Sequence, residues 1–86
     1  MAMNNKVENN RIEFSEWKRR LLARLINIAS TATDTKEKEV LNALINALRY
    51  LRFRDVSGYL ADLWAFCDEY KRYEICREFT EQEITE

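Results

Sequence analysis

Apolar positions recur at helical spacing in three successive stretches of the chain, separated by short polar breaks. From Ile12 to about Ala32, the positions Phe14, Trp17, Leu21, Leu25, Ile28 and Ala32 are spaced by three or four residues, with Leu22 and Ala29 widening the stripe. This spacing predicts an amphipathic helix. Glu16, four residues before Arg20, supports it by about 0.3 kcal/mol. The segment from Ser30 to Thr35 breaks the pattern with β-branched and cap-forming residues, and Asp34 with Glu37 three residues on predicts an N-cap. The second helix then carries Val40, Leu41, Leu44, Ile45, Leu48 and Leu51 on an arc of about 140°, with Asn42 and Asn46 opposite.

A turn is expected near residues 54–57, where Gly58 stands beside Asp55 and Ser57, both able to cap. A third helix follows, with Val56, Tyr59, Leu60, Leu63, Trp64, Phe66, Cys67 and Tyr70 on an arc of about 160°. This arc is wide enough to touch two other helices, and its aromatic residues read as core. Beyond Lys71 the stripe fails. On the same wheel Tyr73, Ile75, Cys76 and Phe79 fall about 100° to 260° from Val56, so a straight helix cannot bury both sets in one core. Two outcomes follow: a break near residues 70–73 with a short fourth helix after residue 72, or a long third helix offering its second face to another chain.

The expected fold is therefore all-α, a small up-down three-helix bundle with a long or bent third helix. Composition points the same way. One Gly and no Pro in 86 residues leave little material for hairpin turns. Residues 1–10 are Asn-rich and aperiodic and are expected to be a disordered leader, residues 11–80 a single domain, and residues 81–86 a frayed acidic tail. A chain this short buries only about 60–65% of its unfolded surface, which makes self-association attractive.

Charge is distributed lengthwise. Residues 1–54 hold eleven basic and six acidic side chains, +5, and residues 55–86 hold three and nine, −6. In an up-down arrangement Lys18, Arg19, Arg20, Arg49, Arg52 and Arg54 gather at one pole, and Asp34, Glu37, Glu39 and the acidic tail at the other. Arg49, Arg52 and Arg54 also complement a helix C-terminus without any further role.

The chain has no His, which removes the commonest general base and metal ligand and every Ser/His or Cys/His nucleophile pair. Glu74 and Glu78 share a helix face, as solvated carboxylates routinely do. No phosphate-cradling Gly-rich loop is present. An enzyme, a cofactor or a bound metal is not expected. Cys67 lies on the core face and Cys76 on the second face; within one continuous helix they would stand roughly 13 Å apart, too far for a disulfide. Reduced thiols, no apolar run of about 18 residues and no apolar leader point to a cytoplasmic protein rather than a membrane or secreted one.

What is left is binding. Tyr73, Ile75, Cys76 and Phe79 have no partner within three helices and form the candidate protein interface, in a regulatory adaptor or inhibitor expected to form a homodimer. The alternative is a nucleic-acid-associated protein whose basic pole, interleaved with Tyr50 and Phe53, contacts phosphates, against which stands a pI near 5.6.

Overall fold

In a computed structural model, which describes residues 10–86, strand β1 (Arg11–Glu13) leads into helix α1 (Phe14–Thr31), followed by α2 (Thr35–Arg49). A single 3-10 turn (Phe53–Asp55) precedes α3 (Val56–Tyr70), then come α4 (Tyr73–Thr80) and strand β2 (Glu83–Thr85). The class is all-α, with one short parallel strand pair at its edge. The expected leader, apart from Asn10, lies outside the described residues.

Local signals act as the sequence implies at the start of α2. The Asp34 carboxylate accepts from the Lys36 N–H at 3.2 Å. Glu37, however, does not reach back to complete a capping box. It is buried, and its Oε2 accepts instead from Arg72 Nε at 2.7 Å across the molecule.

The decisive event is the end of α3. Lys71 adopts a left-handed conformation, φ 59° and ψ 42°, and the Arg72 N–H closes on the Cys67 carbonyl at 2.9 Å. A non-glycine residue there costs about 1–2 kcal/mol. The turn reverses the chain so that α4 packs on α1 and α3 and buries Ile75, Cys76 and Phe79. Burying Ile75 and Phe79 is worth about 1.5–3 kcal/mol each, so the break wins over a continuous helix.

Trp17, Leu21 and Leu25 of α1, Leu41, Leu44 and Leu48 of α2, Leu63, Phe66 and Cys67 of α3, and the three α4 residues form one core. Two hydrogen bonds tie it across helices: Trp17 Nε1 donates to the Phe79 carbonyl at 2.8 Å, and the Tyr59 hydroxyl to the Leu44 carbonyl at 2.8 Å. Two positions expected inside are not. Trp64 is 43% exposed and Val40 37% exposed.

Part of the acidic tail forms a strand. Its Glu83, Ile84 and Thr85 pair in parallel with Arg11, Ile12 and Glu13, and the Glu83 N–H donates to the Asn10 carbonyl at 2.7 Å. This places the tail at the end of the molecule where α1 begins, and not beside Asp34 as the charge pattern implied. Among the described residues, no helix is long and apolar enough to cross a membrane.

Candidate functional site

The interface expected at the second face is largely consumed by the fold. Ile75, Cys76 and Phe79 are enclosed by the chain's own helices. Only Tyr73 faces solvent, and its hydroxyl donates to Asp68 Oδ1 at 3.1 Å. The wheel placed these residues opposite the α3 face because it assumed one straight axis; the Lys71 turn removes that assumption.

The same turn sets the two cysteines on adjoining helices, both fully buried. The Cys76 thiol lies 3.7 Å from the Leu63 carbonyl, one turn before Cys67. Burial, reinforced by the neighbouring Cys76 thiol, pushes the Cys67 thiol well above its ordinary value, and burial also raises Cys76. Thiols held protonated in this way are poor nucleophiles and metal ligands. Among the described residues, no group of three or more His, Cys, Asp or Glu side chains could hold a metal ion.

Of the six residues of the expected basic pole, Lys18 stands against the end of α2. Lys18 Nζ donates to the Leu51 carbonyl at 2.9 Å and sits 5.5 Å from the centre of the Phe14 ring, which itself meets Phe53 edge-on. Yet much of that charge is already engaged. Arg19 and Arg20 both bind the Glu16 carboxylate, at 2.6 and 2.8 Å. Their guanidiniums, Arg19 foremost, hold the Glu16 carboxyl below its usual range. Arg49, Arg52 and Arg54 are exposed and make no ion pair among the described residues. Beside them Tyr50 is 84% exposed.

An uncovered, largely apolar surface lies elsewhere, between α2 and α3. A trough of about 380 Å³ is lined there by Val40, Ala43, Ala47, Ala65, Phe66 and Tyr70, with Asp62 and Glu69 on the α3 side. It runs on past Ala47 and Asp62 into a second depression bordered by Leu51, Arg54, Asp55 and Gly58. At the opposite end burial raises the Tyr70 phenol above its ordinary value, and the negative charges of Glu69, Asp34, Glu37 and Glu39 add to the shift.

Sequence reasoning missed this trough because alanines weigh little in an apolar stripe. Val40, Ala43 and Ala47 nevertheless recur at helical spacing beside the buried stripe of α2, a legible sign of a second, shallower face. Comparison with family models, with curated proteins and with solved structures finds no match to this chain.

Proposed function

We propose that the chain is a small protein-binding module, a regulatory adaptor or inhibitor without chemistry of its own, whose docking surface is the α2–α3 trough. The observation that carries this reading is the exposed apolar floor formed by Val40, Ala43, Ala47 and Ala65 between two otherwise well-packed helices. Interface cores need such a desolvatable patch, with charges kept to its rim. Asp62 and Glu69 occupy that rim.

The partner is a different chain. Self-association through Tyr73, Ile75, Cys76 and Phe79 would require α4 to leave the core, so the expected light-scattering mass is that of one chain. The docking reading is tested by affinity capture from cytosolic extract with the parent protein and with Ala47→Glu and Ala65→Glu. Both positions are exposed, so both variants should keep the parent's melting behaviour. A partner held by the parent and lost from both variants supports the reading; equal recovery on all three overturns it.

A second reading, phosphate contact, is favoured by the exposed Tyr50 between Arg49 and Arg52. With Arg49, Arg52 and Arg54 as the available cations, single-strand affinity should fall about twentyfold from 50 to 200 mM salt. No binding at the lower salt eliminates it.

A further inference from the structure

We propose that the occupant of the α2–α3 trough is a basic amphipathic helix, lying parallel to α2 with its N-terminus toward Tyr70. This inference rests on the docking reading above and adds the chemistry and direction of the partner.

Length comes first. The two depressions share Ala47 and Asp62 and so form one channel, extending along α3 from Gly58 to Tyr70. At a rise of 1.5 Å per residue this is about 18 Å, the length of a helix of roughly twelve residues. A channel between two helices, with small side chains on its floor, accepts a third helix by ridges-into-grooves packing. An extended strand would find no free backbone groups there to pair with, since those of α2 and α3 are used within the helices.

Charge then selects the partner. Among the described residues the channel is lined by Asp55, Asp62 and Glu69 against one cation, Arg54, a net charge of −2. Its Tyr70 end carries Glu69 with no cation on the lining, whereas its Gly58 end sets Asp55 beside Arg54. Lys or Arg flanking an apolar stripe would meet Asp62 and Glu69 directly. A second copy docking trough to trough would bring together two surfaces that each carry a net charge of −2, which makes symmetric pairing less favourable than a basic partner.

Direction follows from the gradient along the channel. A helix carries positive partial charge at its N-terminus and negative at its C-terminus. The favourable alignment puts the N-terminus beside Glu69 at the Tyr70 end and the C-terminus near Arg54. This is antiparallel to α3 and parallel to α2.

The test is a display library of fourteen-residue helices with a fixed Leu/Ala stripe and flanking positions randomised among Lys, Glu, Gln and Ser. Selection uses the full chain, with counter-selection on Ala65→Glu. The expected result is enrichment of Lys-flanked helices that lose binding to Ala65→Glu. Their affinity should fall about tenfold on Glu69→Lys when the Lys stands in the first turn, and much less when it stands in the last turn. Enrichment of neutral or acidic helices that still depend on Ala65 overturns the partner chemistry and leaves the docking surface standing. Loss on Glu69→Lys confined to helices with Lys in the last turn overturns the direction. No Ala65-dependent enrichment at all overturns the docking reading with it.

Discussion

Trp17→Phe should destabilise the protein severely, whereas Trp64→Phe should be nearly silent. Trp17 is 0% exposed, and its indole N–H satisfies the Phe79 carbonyl at the end of α4. Phenylalanine leaves that buried carbonyl without a donor, at about 1–3 kcal/mol. The smaller ring adds a cavity term of about 1 kcal/mol. A loss near 3 kcal/mol compares with a total stability of about 4–13 kcal/mol for a chain of this length. Trp64, 43% exposed and without a side-chain hydrogen bond among the described residues, should change stability by no more than about 0.5 kcal/mol. Urea unfolding followed by far-UV circular dichroism measures both, and the Trp17 variant should shift the midpoint by about 1–3 M. Each variant keeps one tryptophan as a reporter: Trp64→Phe should leave blue-shifted emission from Trp17, and Trp17→Phe the red-shifted emission of Trp64. Equal losses in the two variants, or a Trp17→Phe loss below about 1 kcal/mol, would refute the assignment of α1 and α4 to one core.

Three further outcomes follow from the packing. Arg72→Leu leaves the buried Glu37 carboxylate unpaired; with the guanidinium about one-third exposed and partly screened, the loss should be about 1–2 kcal/mol, and a Glu37→Gln/Arg72→Leu double-mutant cycle should recover a coupling of about 1 kcal/mol. Gly58→Ala should stabilise α3 by about 0.5–1 kcal/mol, because the residue does not have positive φ and nothing lies within 4 Å of the new Cβ; a lower melting temperature would contradict this. Stability should fall in alkali, since burial raises Cys67, Cys76 and Tyr59 above their unfolded values, near 8.5 for thiols and 10 for the phenol. The contribution is complete below about pH 8 and is lost as pH rises through about 9 to 11, because the unfolded chain releases these protons first. Tyr59→Phe should flatten the decline above about pH 10 in urea midpoints, and an unchanged slope would show that Tyr59 is not the group responsible.

The start of α2 and the conflict at Lys71 were legible because both rest on local information, whereas Asp55, expected to cap α3, makes no side-chain cap hydrogen bond. Asp34 is an N-cap by its own chemistry, and the incompatibility of Ile75 and Phe79 with the Tyr59–Cys67 face is a matter of angular spacing. Choosing between a break and a second chain was not local: it depended on whether α1 and α3 leave a seat for α4, which the spacing of one helix cannot reveal. Trp64 shows the same limit. It sits at the edge of a wide arc, and whether an edge position is inside depends on which neighbour occupies that side. Glu37 fits a capping box by spacing, yet its partner Arg72 stands 35 residues away. Ile84, alone in an acidic tail, has no periodicity to signal β2, although pairing with Ile12 brings it against the core.

The Lys71 reversal also determines where a partner can act. Had α3 continued, Ile75 and Phe79 would have projected from one end as an apolar blade, and the α1–α3 side would have been left open in their place. Folding back closes that side with Ile75, Cys76 and Phe79 and so removes their side chains from any outside partner. The surface left over, between α2 and α3, is floored by alanine and valine, whose burial yields little per side chain. Affinity at such a surface depends on close backbone approach and on charge complementarity more than on deep anchors. It should therefore be more sensitive to reversing Asp62 or Glu69 than to trimming Val40 to alanine, the reverse of the ranking expected for a face built on Tyr73, Ile75 and Phe79. That ordering, read from the affinity of a single enriched helix for Asp62→Lys, Glu69→Lys and Val40→Ala, separates an electrostatically selected groove from an aromatic hot spot.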